Sequence, residues 1–331
     1  IGGSQDNGGW VRRSNQSWGN TNGGDAMSQV IDPSNPAIGY TEYWGGNAVY
    51  RTTNGFNNLT DITQNIGANL PGQWVTPFSL NPGNPSTFII GYDDLFVSYD
   101  RGTRFVRITN NLTGSTDNDL REVRISPADT QFIVATRANI CYTSKDFGKT
   151  WKSAALVTTL EITGVEFHPK NAQRIWCTRG GLGAVKVMES NNQGGSWSNI
   201  TRNMPNVPVL CIRFDEPSNV LFLGTDFGVF YSDADDINWV YYGTGMPNTS
   251  VTDLKIHPSL RRLYASTYGR GFYSIDLPDC APSSIEVLTR VDNGEFESKD
   301  KLKLCAGSRL WIKPRDASAG SYRLSGPGLD T

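Results

Sequence analysis

The chain consists of short β-compatible runs that end, again and again, in the same kind of polar turn. Val30-Ile31 runs into Asp32-Pro33-Ser34-Asn35-Pro36, and Leu80 runs into Asn81-Pro82-Gly83-Asn84-Pro85. The phrase returns as Ile125-Ser126-Pro127-Ala128-Asp129, Phe167-His168-Pro169-Lys170-Asn171, Phe214-Asp215-Glu216-Pro217 and Ile256-His257-Pro258. Proline and asparagine suit a place where a strand must stop and turn sharply. From Pro33 through Pro82 and Pro127 to Pro169 the steps are 49, 45 and 42 residues. A second β-rich run follows each turn, at 38–43, 88–92, 132–136, 175–178, 220–225 and 263–267. A glycine-rich or polar corner then opens a third run, such as Leu95-Phe96-Val97 or Ile140-Cys141-Tyr142.

Short strands at that period predict an all-β chain made of four-stranded propeller blades. Six units begin with a first strand. The opening segment Ile1-Gly2-Gly3-Ser4-Gln5-Asp6-Asn7-Gly8 matches a second run and its corner, which makes seven blades. The last unit, 251–276, reads as three strands without a fourth. Closing the ring is therefore expected to draw on residues upstream of Ile1.

The third run leads into a sharper motif, S-x-D-x-G-x-x-aromatic. Ser98, Asp100, Gly102 and Phe105 carry it once, and Ser144, Asp146, Gly148 and Trp151 carry it again. Ser190, Asn192, Gly194 and Trp197 repeat it with Asn for Asp, 46 residues on. Ser232 to Trp239 keeps only the ends, and Thr52-Thr53-Asn54-Gly55-Phe56 is a degenerate copy. Ser and Asp side chains bond the backbone of a hairpin turn, Gly takes positive φ, and the aromatic packs over it. Asp100 and Asp146 are thus expected to fix turns rather than to do chemistry. This motif is identified as the Asp-box, or bacterial neuraminidase repeat.

Composition narrows the functional classes. Thirty basic against 32 acidic residues give a formal charge of −2, and no Lys/Arg run stands out, which argues against nucleic acid as a partner. No stretch of about 18 apolar residues exists, so nothing is expected to span a bilayer as a helix. Of the five cysteines none forms a CxxC pair, and with two histidines a zinc site is not expected. Cys141, Cys177 and Cys211 lie in strand-like segments and read as buried thiols, while Cys280 and Cys305, beyond the repeats, suit one disulfide. His168 and His257 hold the same turn slot as Asp32, and the run Asp233-Ala234-Asp235-Asp236 reads as a solvated loop rather than a Ca²⁺ site. No cofactor is implied.

The seven corners after the second strand carry Asp6, Trp44, Asp93, Arg137, Arg179, Asp226 and Tyr268, with Gln5, Trp10, Asp25, Tyr92 and Arg270 close by in sequence. Equivalent positions of a propeller converge on one face. A ring of carboxylates, guanidiniums and aromatics there suits a carbohydrate or an extended peptide, or else pairs internally and merely closes the channel. Asp6, Asp25, Asp93 and Asp226 are also eligible by type for the two carboxyl groups of a glycosidase.

Asp-box propellers include sialidases, the sortilin ectodomain, tandem-propeller xyloglucanases and propellers resembling photosystem assembly factors. The phrases 3–8 and 266–273 resemble large surface proteins of the Bacteroidetes group, which are exported across the outer membrane. A sialidase resemblance implies an Arg-Ile-Pro motif, and Arg107-Ile108-Thr109 and Arg124-Ile125-Ser126 are as near as this sequence comes. Residues 280–331 alternate in strand fashion and resemble the start of an immunoglobulin-like sandwich, following a propeller over 1–279. The resemblance implies a secreted or cell-surface adhesin-like module that binds a glycan or an envelope protein. The alternative is a xyloglucanase-like hydrolase, and a third option is an assembly factor for a membrane-protein complex.

Overall fold

The computed structural model describes residues 1–277, apart from 14, 69–70, 115–119, 157–158 and 244, and two short strands beyond them. It is a seven-bladed β-propeller. Each blade is an antiparallel meander whose strands run outward from the centre in sequence order. Blade 3, for example, comprises Phe78–Asn81, Asn84–Gly91, Leu95–Ser98 and Val106–Arg107. Blades 2 to 6 have four strands, and blades 1 and 7 have three each. Blade 1 begins at Gly2–Ser4 and blade 7 ends at Gly271–Asp276, as the repeat reading expected. Among the described residues there is no α-helix, only the 3₁₀ turns Trp44–Gly46 and Thr63–Asn65.

Strand alternation builds the core. Successive side chains of a strand point to opposite faces, and here each face packs against a neighbouring blade. Phe88 and Ile90 join Tyr40 and Val49 of blade 2, whereas Ile89 between them joins Val123 and Ile133 of blade 4. Phe132 and Val134 pack toward blade 5, and Ile133 and Ala135 back toward blade 3. Both faces being covered, the second strands read as unbroken apolar runs. Each such side chain contributes about 1.5–3 kcal/mol of transfer free energy. Blades 7 and 1 also meet. Phe272 stacks on Trp18 at 6.1 Å and 10°, and lies so close over Gly2 that a methyl there would come within 2.6 Å of its ring.

The Asp-box turns form as their sequence demands. Ser98, Ser144 and Ser190 each accept the N–H of the motif glycine at 2.7–2.8 Å through Oγ. Asp100 and Asp146 accept the N–H four residues on, at 2.9 and 2.8 Å, and Asn192 does the same at 2.8 Å. Hydrogen bonding, led by the Arg104 N–H for Asp100 and by the Thr150 hydroxyl at 2.6 Å for Asp146, pulls both aspartates down to about 2. Two consecutive residues take positive φ: Arg101 and Gly102 at 59° and 83°, Phe147 and Gly148 at 55° and 86°, Gln193 and Gly194 at 58° and 79°. In the degenerate copy Gly55 fills the first of these places, and Phe56, not a glycine, fills the second at φ 63°. Thr52 Oγ1 accepts the Phe56 N–H at 3.0 Å, so the turn survives with an aromatic in the glycine slot.

Cys141, Cys177 and Cys211 are buried free thiols, and burial pushes Cys141 and Cys211 up to about 12. His168 and His257 serve their turns, each accepting a backbone N–H through Nδ1. Beyond Leu277 the structure describes one antiparallel pair, Val287–Thr289 with Glu297–Lys299. The immunoglobulin-like module and the Cys280–Cys305 bridge otherwise lie outside the described residues.

Candidate functional site

The corners between second and third strands form one end of the ring, opposite the proline turns and the Asp-boxes. Asp25 joins two of them: its carboxylate accepts the Asp6 N–H at 2.7 Å and its carbonyl accepts the Trp44 N–H at 3.1 Å. Ser250 joins two others, donating its hydroxyl to Asp226 Oδ1 at 2.8 Å and accepting the Tyr268 N–H at 2.9 Å. Asp6, Asp226, Tyr268 and Arg270 are exposed, and Trp44 and Arg137 are half-buried. Asp6 sits at φ 61°, a conformation that its carbonyl-like side chain tolerates.

Two corner residues point inward. Arg179 is fully buried and donates from Nε and Nη2 to the Leu160 carbonyl at 3.2 and 2.6 Å, which fixes a loop between blades. Burial holds its guanidinium below the usual arginine range. Asp93 is buried beside Arg107 at 3.8 Å. Its neighbour Asp94 does the structural work in that corner, accepting the N–H groups of Asn111 and Leu112 at 2.8 and 3.0 Å and pairing with Arg107.

A second constellation, absent from the sequence reading, lies on the innermost strands of blades 4 to 7. Arg213 donates to Asp253 at 2.7 Å and faces Glu166 at 3.7 Å. Lys255 contacts Asp253 at 3.1 Å, and Arg124 pairs with Glu122 at 2.9 Å. Burial raises Glu166 above the usual glutamate range against the pull of Arg213. The only hint in the sequence was the charge spacing Glu122-x-Arg124 and Asp253-x-Lys255, alternating with apolar residues such as Val123, Ile125, Leu254 and Ile256. Trp74 was also missed, since it stands on a connection between blades and holds no repeat position. Its indole lies 5.4 Å from that of Trp44, at 23°.

The four carboxylates eligible for catalysis do not form a pair by contact. Asp25 and Asp226 are engaged as acceptors, and Asp93 is buried beside a guanidinium. In the acidic run, Asp233 Oδ1 accepts the Asp235 N–H at 2.8 Å and Asp235 pairs with Arg174 at 2.8 Å. Among the described residues no cluster of His, Cys, Asp or Glu is arranged to hold a metal, and no helix is long and apolar enough to cross a membrane.

Seven blades, four of them closed by Asp-box turns between the third and fourth strands, decide the class. Residues 1–277 fold as a β-propeller with Asp-box turns. Residues 93–219 of this propeller match the Sortilin-Vps10 family model, described as "Sortilin, neurotensin receptor 3". No curated protein matches the sequence. Among solved structures, the propeller resembles an ancestral GH74 enzyme with a TM-score of 0.65 at 13% identity, over 85% of this chain and 45% of that one. It resembles the GH74 xyloglucanase from Xanthomonas campestris with a TM-score of 0.60 at 14% identity, over 77% of this chain and 44% of that one. YCF48 bound to D1 peptide gives a TM-score of 0.51 at 13% identity, over 75% of this chain and 80% of that one. This chain thus spans less than half the length of the two GH74 enzymes. At such identities the likeness speaks for the fold, which hosts an enzyme in one case and a peptide-bound protein in another.

Proposed function

We propose that this propeller is a non-catalytic binding module of a secreted or cell-surface protein, and that its corner end holds a glycan. The observation that carries the reading is that several large apolar groups at the corner end stay in solvent beside charged ones. Trp74 (46% exposed), Leu182 (66%), Phe227 (46%) and Tyr268 (75%) all stand on the corner end, among Asp6, Asp226 and Arg270. Exposed aromatics interleaved with hydrogen-bonding side chains suit a ligand with both apolar faces and polar edges. A glycosidase needs two carboxyl groups set about 5–9.5 Å apart, one of them protonated. The engagement of Asp25, Asp93 and Asp226 in turns and pairs supports binding over hydrolysis.

The test is a glycan array and polysaccharide pull-down with the full chain, beside an Asp6→Ala/Asp226→Ala variant and a Tyr268→Ala variant. The expected result is binding that weakens in the variants, with no reducing sugar released. Release of sugar would transfer the case to a hydrolase of the GH74 kind. Binding indifferent to every corner variant, or a partner crosslinked only through the opposite end, would refute the assignment of the face.

A further inference from the structure

We propose that the Trp44–Trp74 pair is a docking shelf for an uncharged polysaccharide chain, an inference that rests on the corner end being the binding face. The shelf is deliberately built. The segment from Pro71 to Pro77 is clamped onto the corner Trp44–Gly46 by backbone bonds in both directions. Trp74 accepts the Gly45 N–H at 3.1 Å, and Gly45 accepts the Gly72 N–H at 2.6 Å. A third bond comes from a side chain: Glu42 Oε1 accepts the Thr76 N–H at 2.9 Å.

Close approach at this seat requires glycine. Gly45 and Gly46 hold φ of 66° and 60°. A methyl on Gly46 would lie 2.4 Å from the Tyr92 hydroxyl, and one on Gly72 would lie 2.8 Å from the same ring. The Tyr92 hydroxyl donates to the Gly46 carbonyl at 3.0 Å. Glu42 is fully buried with the Thr76 and Ser28 N–H groups near its carboxyl, yet its second oxygen has no hydrogen bond of good geometry. Burying a carboxyl so incompletely satisfied is costly. Core packing gives no reason for that cost, because what the clamp holds in place is exposed: Trp74 at 46% and Val75 at 49%.

The chemistry of the shelf selects its ligand. Backed by Trp44, on which it stacks, the half-exposed Trp74 indole offers one flat apolar face, which matches the C–H face of a pyranose ring. The two indoles do not enclose a volume, as a cage for a quaternary ammonium would. The polar side chains of the seat are neutral: Gln73 is half-buried, while Asn47 donates to the Trp44 carbonyl at 2.9 Å and the buried Thr76 donates to the Gln73 carbonyl at 3.0 Å. Its carboxyl, Glu42, is sealed from solvent, and Asp25, bonded to Trp44 through its carbonyl, has its carboxylate on the Asp6 N–H. The seat presents no cation to pair with a uronic acid, and its half-buried carboxylate, Asp25, already serves the Asp6 N–H. An uncharged chain, held by stacking and by hydroxyl bonds to amides, fits.

The test uses the full chain in affinity gel electrophoresis against hydroxyethyl cellulose, galactomannan and a soluble β-1,3-glucan, with polygalacturonate as the charged probe. Intrinsic tryptophan emission is followed in parallel. At least one neutral polymer should retard the protein and shift its emission. Trp74→Ala should weaken that binding about tenfold or more, as truncation of a stacking anchor does, while Tyr99→Ala, exposed at the opposite end of the ring, changes it less than about twofold. Thermal melting of Trp74→Ala should match the parent, since the side chain is half exposed. Neutral-polymer binding unchanged in Trp74→Ala would overturn the shelf, as would preference for polygalacturonate or silence from all three neutral polymers. A ligand lost on Tyr268→Ala but untouched by Trp74→Ala would sink the shelf alone. Failure of every corner variant to alter any binding would sink the corner-face reading with it.

Discussion

Replacing Arg213 with methionine removes the central cation of the inner-strand network while keeping most of its length. In the native ring Arg213 is 10% exposed and stands between Asp253 at 2.7 Å and Glu166 at 3.7 Å. Breaking a buried pair by deleting one partner costs about 3–5 kcal/mol, because a charge is left uncompensated. The two carboxylates are not equally stranded. Asp253 is 40% exposed and keeps Lys255 at 3.1 Å, whereas Glu166 is 21% exposed and loses its direct partner. The lower end, about 3 kcal/mol, is therefore expected, nearly all of it from Glu166. At about 2 °C per kcal/mol for a chain of this length, the melting temperature should fall by roughly 6 °C. Glu166 already has a raised pKa in the fold, and losing Arg213 raises it further. A carboxyl whose folded pKa lies above its unfolded one is no burden below the unfolded value and destabilises as pH rises through the folded value. The deficit of Arg213→Met should thus be full at neutral pH and shrink on acidification, whereas Arg213→Met/Glu166→Gln should recover much of it at neutral pH. Urea unfolding from pH 7 down to pH 4.5 reads both. A deficit that does not change with pH, or one that Glu166→Gln fails to relieve, would show that the network does not work as argued.

Two further predictions concern the turns. Asp100 and Asp146 are lowered from 3.8 to about 2 in the fold. Their contribution is therefore present above about pH 4 and lost as pH falls toward 2. An Asp100→Asn/Asp146→Asn variant should flatten that acid limb of a pH-unfolding curve, and an unchanged limb would clear the turns of responsibility. Gly148 has φ 86°, and a methyl there would lie 2.7 Å from Ile108 Cδ1, whereas Gly55 at φ 67° opens onto free space. Gly55→Ala should cost about 1–2 kcal/mol from the backbone alone, and Gly148→Ala somewhat more, since the terminal methyl of Ile108 must also give way. Equal costs in urea titration would mean that the contact with Ile108 carries nothing.

What could be read from the sequence was what is local. The Asp-box was legible because every partner of Ser98 or Asp100 in the turn lies within four residues along the chain. The blade count was legible because a repeat needs no knowledge of long-range contacts. Phe56 in the glycine slot was not, since Gly55 beside it offered an equally good alignment. Corner positions were legible but their orientations were not. Whether Asp93 or Asp94 turned inward depended on which of them could gather Asn111, Leu112 and Arg107. Arg179 turned to a carbonyl 19 residues away. The inner-strand network joins Arg213 to a partner 40 residues on, and only assembly of the ring brings the two together.

The two ends of the ring obey different constraints, and that difference bears on where specificity resides. At the Asp-box end a single solution recurs, because a serine or threonine oxygen, a carboxylate or amide, and two left-handed residues are the cheapest way to close that hairpin. Blades 2 to 5 all use it, even with Phe56 in a strained place. At the corner end each connection is held by different means: Asp25 for blades 1 and 2, Asp94 within blade 3, the Leu160 carbonyl on Arg179 in blade 5, and Ser250 between blades 6 and 7. No single geometry is imposed there, so the exposed residue at each corner is free to be an acid, an aromatic or a cation without cost to closure. Rigidity comes from the repeated end and chemical variety from the other. A binding face built on a propeller is therefore expected at the corners, and Trp74, held by a clamp that no repeat requires, is its most specific element.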